Sequence, residues 1–197
     1  VGVVRAGSLR ISASGGSCVG ALRTSVAVPV DAVPRITATS LKSPVAAPTW
    51  PVGALASDTF GRTVKNGWGT ADVGGGWTIK GSASRFGVVP GRADIRMDGD
   101  GATQGSVLTG VSSTDTDMTA SVGLDRAPSA AGSVYVSVVA RRLTTQGQYL
   151  ATVRLAGTGL VEVLARYRSP AGVDANLAPS GALPFAYTAG GRVDVRV

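Results

Sequence analysis

Short runs in which apolar and polar residues alternate recur along most of the chain and predict β-strands. The clearest runs cover residues 133–143, 149–155 and 160–167, where every second residue is apolar over the length of a strand. Glycine-rich turns separate such runs at intervals of about 8 to 12 residues, and no apolar repeat of helical period extends over a helix length. This spacing is typical of an antiparallel β-sandwich or jelly roll.

Further strand-like segments lie on both sides of these runs. They are predicted at residues 8–13, 21–30, 35–41, 77–81, 85–89, 92–97, 106–111, 117–124 and 192–197. The sequence stops within the last segment, where an unpaired strand would expose its edge to association. It also opens on strand-like residues, without an initiator Met or a signal-peptide pattern. We therefore expect the sequence to be part of a longer protein.

Residues 43–54 interrupt the strand pattern with Pro44, Pro48 and Pro51. Proline cannot donate a hydrogen bond to a sheet and favours a stiff, extended chain, so this segment is predicted to be a linker. The predicted organisation places the C-terminal part of a preceding β module at residues 1–42. A β-sandwich at residues 55–197 follows the linker and is expected to be truncated at its C-terminal end.

Composition supports an all-β protein and excludes several kinds of chemistry. The 197 residues include one Glu and three Lys, the residue types on which exposed helix faces usually depend. Because the chain has no His and only Cys18, it cannot form a Ser-His-Asp relay, a His-based metal site or an internal disulfide. Without a His to activate it, the Cys18 thiol is expected to be a small structural group.

The formal net charge is +7, from 19 Lys and Arg against 12 Asp and Glu. The arginines are isolated along the chain, whereas nucleic-acid interfaces cluster basic residues and interleave them with aromatic ones. Nucleic-acid binding is therefore not expected. No segment approaches the roughly 18 consecutive apolar residues of a membrane span, so membrane insertion is not expected either.

The segment from residue 58 to residue 77 combines large aromatic residues, aspartates and a series of glycines. Phe60, Trp68 and Trp77 are a large share of a small aromatic supply and are predicted to anchor the core. Asp58 and Asp72 lie where a carboxylate can accept hydrogen bonds from turn N–H groups, and the glycines permit tight turns. The segment therefore predicts an architectural motif.

The same segment has the pattern DxFxRTVxxGWGxADxGGxW, followed by GSAS at residues 81–84, VSSTDTD at 111–117 and YVSVVARR at 135–142. It resembles a concanavalin A-like (laminin G-type) β-sandwich module. Such modules occur in minor tail proteins of phages that infect high-GC Gram-positive bacteria. They also occur in secreted multidomain proteins of those bacteria.

The resemblance implies a structural, non-enzymatic module of a phage tail tip or tail fibre, located in the virion. It would contribute to assembly and to host attachment, with other tail proteins, copies of itself in an oligomer such as a trimer, and a host-surface glycan as partners. The alternative is a carbohydrate-binding or adhesion module of a secreted, extracellular bacterial protein.

A weak calcium candidate lies at Asp94, Asp98 and Asp100, in the order Asp-x-x-x-Asp-Gly-Asp-Gly. Calcium prefers oxygen ligands from such loops, but this segment lacks the spacing and the closing Glu of an EF-hand. A plain turn explains the Asp-Gly pairs equally well. No other cofactor is predicted.

Glycoside hydrolysis requires two carboxylates that face one cleft. The only Glu, Glu162, lies between two valines in a predicted strand, where pairing with an arginine is the simpler explanation. No catalytic residue is therefore predicted. Aromatic rings on which a sugar could stack are nevertheless present, at Trp68, Trp77, Tyr135, Tyr149 and Tyr167.

Overall fold

The computed structural model describes residues 2–12, 19–20, 37–39, 54–97, 101–113, 116–143 and 145–197, the first three ranges by their backbone alone. These residues form strands and turns, with one short 3-10 helix at Ala83–Arg85. Every strand pairing among them is antiparallel. The predicted all-β, antiparallel fold is confirmed.

Seventeen strands are formed by the described residues. In chain order they are β1 (Gly2–Ser12), β2 (Val19–Gly20), β3 (Thr37–Thr39), β4 (Ala54–Asp58), β5 (Val64–Lys65), β6 (Trp77–Lys80), β7 (Phe86–Val89), β8 (Arg92–Met97), β9 (Gly105–Leu108), β10 (Val111–Ser112), β11 (Asp117–Leu124), β12 (Ser133–Leu143), β13 (Gly147–Ala156), β14 (Leu160–Arg168), β15 (Asp174–Asn176), β16 (Gly181–Ala186) and β17 (Val193–Arg196).

The larger sheet has the strand order β3-β17-β11-β1-β8-β7-β5, and β4 also pairs with β1. One edge of β1 pairs with β11, from Val4 opposite Leu124 to Ser12 opposite Asp117. Its other edge pairs first with β8 and then with β4. The strand β1 therefore lies inside this sheet.

The position of β1 differs from the predicted domain organisation. Residues 1–42 were expected to belong to a preceding module, whereas β1 and β3 pair with strands of the module that follows. Alternating residues show that a strand has one buried face, but they do not show which sheet completes it. Of the expected linker at residues 43–54, only Ala54 is described, and it begins β4. The linker itself stays a prediction.

The smaller sheet has the strand order β12-β13-β14-β15, and β16 also pairs with β14. Its register places Val138 opposite Ala151 and Ala151 opposite Ala165. The two sheets share one buried core, so the architecture is a β-sandwich. The core residues from both sheets include Met118, Ala120, Val122, Val193 and Val195 on the larger sheet and Val138, Ala151, Val153, Leu155 and Val161 on the smaller one.

The other face of the smaller sheet carries a second group of buried side chains. Val139 is 1% exposed, Leu150 7% and Thr152 0%. These residues alternate with Val138 and Ala151, which belong to the shared core, and they lie outside that core themselves. We call this side of the smaller sheet its outer face.

Two small two-stranded pairings, β6 with β9 and β2 with β10, complete the described topology. Nowhere in the described ranges does the structure contain a helix with the length and hydropathy needed to span a membrane.

Candidate functional site

The carboxylate of Asp58 is fully buried and accepts four hydrogen bonds. Its Oδ1 accepts from the backbone N–H of Phe60 at 2.9 Å and from Nη1 of Arg62 at 2.7 Å. Its Oδ2 accepts from Nη2 of Arg62 and from the indole Nε1 of Trp77, both at 2.7 Å. A buried charge is tolerated only when it is paired and hydrogen-bonded, and these four donors meet that condition.

The guanidinium of Arg62 links Asp58 to the following turn. Its Nε and Nη2 donate to the backbone oxygen of Trp68, at 2.9 and 2.6 Å. Its central carbon lies 5.6 Å from the centroid of the Phe60 ring, within range of a cation–π contact. The hydrogen bonds to the Asp58 carboxylate raise the pKa of Arg62 above its usual value.

Trp68 is the centre of a buried aromatic group. Its ring meets those of Trp77, Phe60 and Phe86 edge to face, with centroids 5.1, 5.6 and 5.8 Å apart. Its Nε1 donates to the backbone oxygen of Asp94 at 3.2 Å. We name Asp58, Phe60, Arg62, Trp68 and Trp77 the aspartate–tryptophan cluster.

Phe60 has a φ of 55°, in the left-handed region that bulky residues rarely adopt. Its N–H is held by Asp58, and its backbone oxygen accepts from the N–H of Gly91 at 2.9 Å. Such a conformation costs of order 1 to 3 kcal/mol and persists where the surroundings hold it in place. The cluster therefore fixes the chain direction just after β4.

Asp72, the remaining residue of the predicted motif, lies at the surface beside the cluster. Its Oδ2 accepts from the backbone N–H and from the hydroxyl of Thr59, at 2.7 and 2.6 Å. These bonds connect the loop around residue 72 to the residue that follows Asp58. The structure thus brings all five predicted motif residues together.

Of the three calcium candidates, only Asp94 lies within the described residues, so the calcium hypothesis stays a prediction. Both oxygens of Asp94 face Arg92, with Nε 2.8 Å from Oδ1 and Nη2 donating to Oδ2 at 3.0 Å. Asp98 and Asp100 lie outside the described residues, as does Cys18. Within the part of the chain that the structure describes, no group of three His, Cys, Asp or Glu residues is placed to hold a metal ion.

The aromatic residues considered for sugar stacking are separated by the fold. Trp68 and Trp77 are buried in the cluster, at 1% and 8% exposure. Tyr149 and Tyr167 lie opposite each other on the core side of the smaller sheet, with ring centroids 5.3 Å apart. Tyr135 is 53% exposed and lies on the outer face. Of these five residues, Tyr135 alone presents its ring to solvent in this way.

The outer face places Tyr135 next to a line of arginines on β14. The guanidinium carbon of Arg166 lies 6.0 Å from the centroid of the Tyr135 ring. Between them lies Thr152, which is fully buried and whose hydroxyl shares a 2.9 Å hydrogen bond with that of Ser137. Leu164 is the direct cross-strand neighbour of Thr152. We name Tyr135, Thr152, Leu164, Arg166 and Arg168 the tyrosine–arginine face.

Asp174 on β15 positions the two arginines of this face. Its Oδ1 accepts from Nε of Arg168 at 2.6 Å, and its Oδ2 accepts from Nη2 of Arg168 and of Arg166, at 2.7 and 2.8 Å. These hydrogen bonds raise the pKa of Arg168 above its usual value. One carboxylate therefore holds both guanidinium groups in place.

A cleft of about 870 Å³ runs past β12. Its lining includes Tyr135, Leu164, Arg166 and Arg168 from the outer face, together with residues of the larger sheet such as Val122. The volume lies within the range of small-ligand sites, about 300 to 1,000 Å³. The cleft therefore extends from the core side of β12, at Val134 and Val136, to part of the tyrosine–arginine face.

Among the described residues, the carboxylates of Glu162 and Asp174 on this side of the sheet lie far apart. Glu162 and Asp174 are separated by six positions along β14, since Asp174 lies opposite Arg168. This spacing corresponds to about 20 Å, well beyond the roughly 5 to 10 Å between the carboxylates of a glycosidase. Glu162 is also engaged, because its Oε2 accepts from Nη1 of Arg154 at 2.5 Å.

Sequence reasoning assigned no role to three residues on which these sites depend. Arg62 follows Asp58 by four positions, which was an available signal for an ion pair. Arg166 on β14 reaches Tyr135 on β12 across the intervening strand β13, and only the strand order reveals that contact. Tyr187 is buried, and its hydroxyl accepts from the N–H of Leu124 and donates to the Leu124 oxygen. No local pattern indicated that link.

Comparisons of this chain with known protein families, with curated proteins and with solved structures give no match.

Proposed function

We propose that this chain carries a concanavalin A-like, laminin G-type module that is a non-enzymatic structural part of a phage minor tail protein. The observation that supports this proposal is the aspartate–tryptophan cluster. The residues that carry the resemblance satisfy one another's hydrogen bonds inside the core. Motif residues that stabilise the core in this way can keep the fold the same while the surface loops differ.

In such a role the module would act by holding its shape. Antiparallel sheets that share a core form a stiff body. Turns at the ends of the sandwich would contact other tail proteins or further copies of the chain. Closed symmetric oligomers, trimers included, are the usual form of such self-association.

A non-catalytic role is supported by the carboxylates of the smaller sheet. Glu162 and Asp174 are each bound by arginine side chains, at distances of 2.5 to 2.8 Å. Their separation along β14 is about twice what an inverting glycosidase uses. We therefore infer that this face contacts its partner without cleaving it.

The proposal is tested by locating the chain in virus particles. Antibodies raised against the purified chain should label the tail tips of tailed particles from its source in immunogold electron microscopy, and the chain should co-sediment with those particles. Recovery of the chain only in a particle-free secreted fraction would overturn the tail assignment.

A second candidate function is carbohydrate binding, as an adhesion module of either a tail or a secreted protein. The observation that favours it is the half-exposed ring of Tyr135 beside Arg166 and the cleft. Binding of the intact chain to purified cell walls, with loss of binding in Tyr135→Ala, tests this candidate. Equal binding by both forms would exclude Tyr135 from the contact.

A further inference from the structure

The tyrosine–arginine face has a rigid floor. Thr152 is fully buried at its centre, and the neighbouring Val139 and Leu150 are 1% and 7% exposed. The strands β12, β13 and β14 run in continuous register there, with Ser137 opposite Thr152, Leu164 opposite Thr152 and Arg166 opposite Leu150. A site on paired strands holds its side chains more accurately than a site on loops.

An exposed aromatic ring lies at the border of this floor. Tyr135 keeps 53% of its surface accessible, although the alternate residues Val134 and Val136 pack against the core. A tyrosine ring combines an apolar surface with a polar tip, as ligand sites commonly do. The ring is therefore available as a flat surface for a ligand that carries both C–H and hydroxyl groups.

The cleft over this floor has an excess of positive charge. The charged residues that the structure describes in its lining are Arg126, Arg166, Arg168 and Asp174, three cations against one anion. Asp174 is fully used by two of these arginines. Among the described lining residues, positive charges therefore exceed negative ones by two, which favours an anionic ligand.

Arg166 also carries an unused donor. Its Nη2 donates to Asp174, while its buried Nε–H has no acceptor among the described residues. Leaving a buried donor without an acceptor costs about 1 to 3 kcal/mol, so an oxygen supplied by a ligand would be stabilising there. Guanidinium groups bind carboxylates and phosphates especially well, through parallel hydrogen bonds.

We propose that the tyrosine–arginine face binds an anionic saccharide, with a sugar ring against Tyr135 and a carboxylate or phosphate substituent at Arg166. This inference depends on the carbohydrate-binding candidate above and adds the class of sugar. Hydroxyl groups of the sugar would find partners in the side chains of Ser137 and Asn176, which also line the cleft. A nucleic acid would need a longer track of cations and stacking rings than this one tyrosine provides.

The test measures binding of the intact chain to three polymers by affinity electrophoresis and calorimetry. Polygalacturonic acid supplies carboxylates, poly(glycerol phosphate) supplies phosphates, and dextran is the neutral control. We expect at least tenfold tighter binding to one of the acidic polymers than to dextran, and the better acidic polymer identifies the anionic group. We expect that preference to weaken as salt is raised, because screening reduces charge attraction.

Variants connect the binding to the proposed residues. Tyr135→Ala and Arg166→Gln should each weaken binding to the acidic polymer at least tenfold. Arg166→Lys keeps the charge but loses the planar donors, so it should give an intermediate loss. Arg196→Gln is the matched control, because Arg196 is an exposed, Asp-paired arginine on the larger sheet, and it should bind normally. If Arg166→Gln unfolds the chain, Tyr135→Ala still decides the question.

Three results would overturn the inference. Equal binding of dextran and the acidic polymers would be consistent with carbohydrate binding, but it would show that the face does not prefer anionic saccharides. Displacement of the acidic polymer by single-stranded DNA, with the same variant sensitivity, would assign the face to nucleic acid. Failure to bind any of the polymers would exclude the site, while the immunogold experiment would still decide the tail function separately.

Discussion

The aspartate–tryptophan cluster and the tyrosine–arginine face use the same kinds of side chain for different purposes. Each places an arginine over an aromatic ring, Arg62 at 5.6 Å from Phe60 and Arg166 at 6.0 Å from Tyr135. Each also pairs that arginine with an aspartate. In the cluster the carboxylate of Asp58 is fully buried with four donors, whereas on the face a ring is half exposed and a guanidinium donor has no acceptor among the described residues.

The difference shows that residue type alone does not separate a structural group from a contact surface. What separates them is burial and the saturation of hydrogen-bonding groups. Substitutions in the cluster should therefore lower stability, whereas substitution of the exposed Tyr135 on the face should leave stability unchanged and act on binding. The following experiments test that division.

The largest effect is expected from Trp68→Ala. The ring is 1% exposed and contacts three other aromatic rings, so its removal opens a large cavity in the core. The free energy of unfolding should fall by about 3 to 5 kcal/mol in urea denaturation followed by circular dichroism. A loss below about 1 kcal/mol would show that Trp68 does not contribute to the core as described. The distinction between the aspartate–tryptophan cluster and the tyrosine–arginine face would then fail.

Asp58→Asn should have the next largest effect. It leaves the Arg62 guanidinium, whose side chain is only 23% exposed, without its bidentate carboxylate partner. Breaking a buried pair costs about 3 to 5 kcal/mol, and the partial exposure of Arg62 places this case near the lower end. Thermal denaturation measures the loss.

The matched control for Asp58→Asn is Asp117→Asn. Asp117 also accepts two hydrogen bonds from one arginine, Arg196, but at a half-exposed position on the surface. Solvent screening should make its melting temperature indistinguishable from that of the unchanged protein. Equal losses for the two variants would show that burial does not distinguish the pairs.

Tyr187→Phe tests whether hydrogen bonds to buried groups also stabilise the protein outside the aspartate–tryptophan cluster. The buried Tyr187 hydroxyl accepts from the N–H of Leu124 and donates to the Leu124 oxygen, so the variant leaves buried backbone groups without this partner. The cost should be about 1 to 3 kcal/mol in urea denaturation. Tyr167→Phe is the control, since the Tyr167 hydroxyl donates to Gln146 at an exposed site, and it should cost much less.

Tyr135→Ala should change stability by no more than about 0.5 kcal/mol, as is usual for an exposed position. The melting temperature of the purified variant measures this. A loss comparable to that of Trp68→Ala would mean that the Tyr135 ring packs as part of the structure, and the proposed contact surface would then be untenable.

The smallest effect is expected from removal of calcium. The Asp94 carboxylate is paired with Arg92, and its backbone oxygen accepts from the indole of Trp68. EDTA should therefore leave the melting temperature unchanged. A rise in melting temperature with added calcium would instead show that a bound ion stabilises the protein, and it would support the calcium hypothesis at Asp98 and Asp100.

The sequence predicted those strands in which alternation is strict. The expected segments at residues 117–124 and 133–143 coincide with β11 and β12. The strands β15 and β16 were not predicted, because β15 is three residues long and β16 contains Pro184, which sequence rules assign to strand edges or turns. Short or proline-containing edge strands depend on their neighbours, and single-sequence patterns do not include neighbours.

The sequence also predicted part of each candidate site, but it did not predict the contacts between distant strands. Three aromatic residues in one motif already indicated the buried group around Trp68, because large apolar side chains collect in the core. Alternation with Val134 and Val136 also assigns Tyr135 to the face away from the core. The approach of Arg166 to Tyr135 could not be predicted, since the two residues lie on strands separated by β13 and only the sheet order brings them together.

The interior position of β1 has a consequence for how the chain is made. Val4 pairs with Leu124, which lies 120 residues further along the chain. At a ribosomal rate of about 5 to 20 residues per second, β1 would wait about 6 to 24 s for this partner. During that interval the edge of β1 that pairs with β11 would be open to other chains, whereas the partners of its other edge, β4 and β8, are made earlier. Translation speed and chaperone access should therefore influence the yield of this protein.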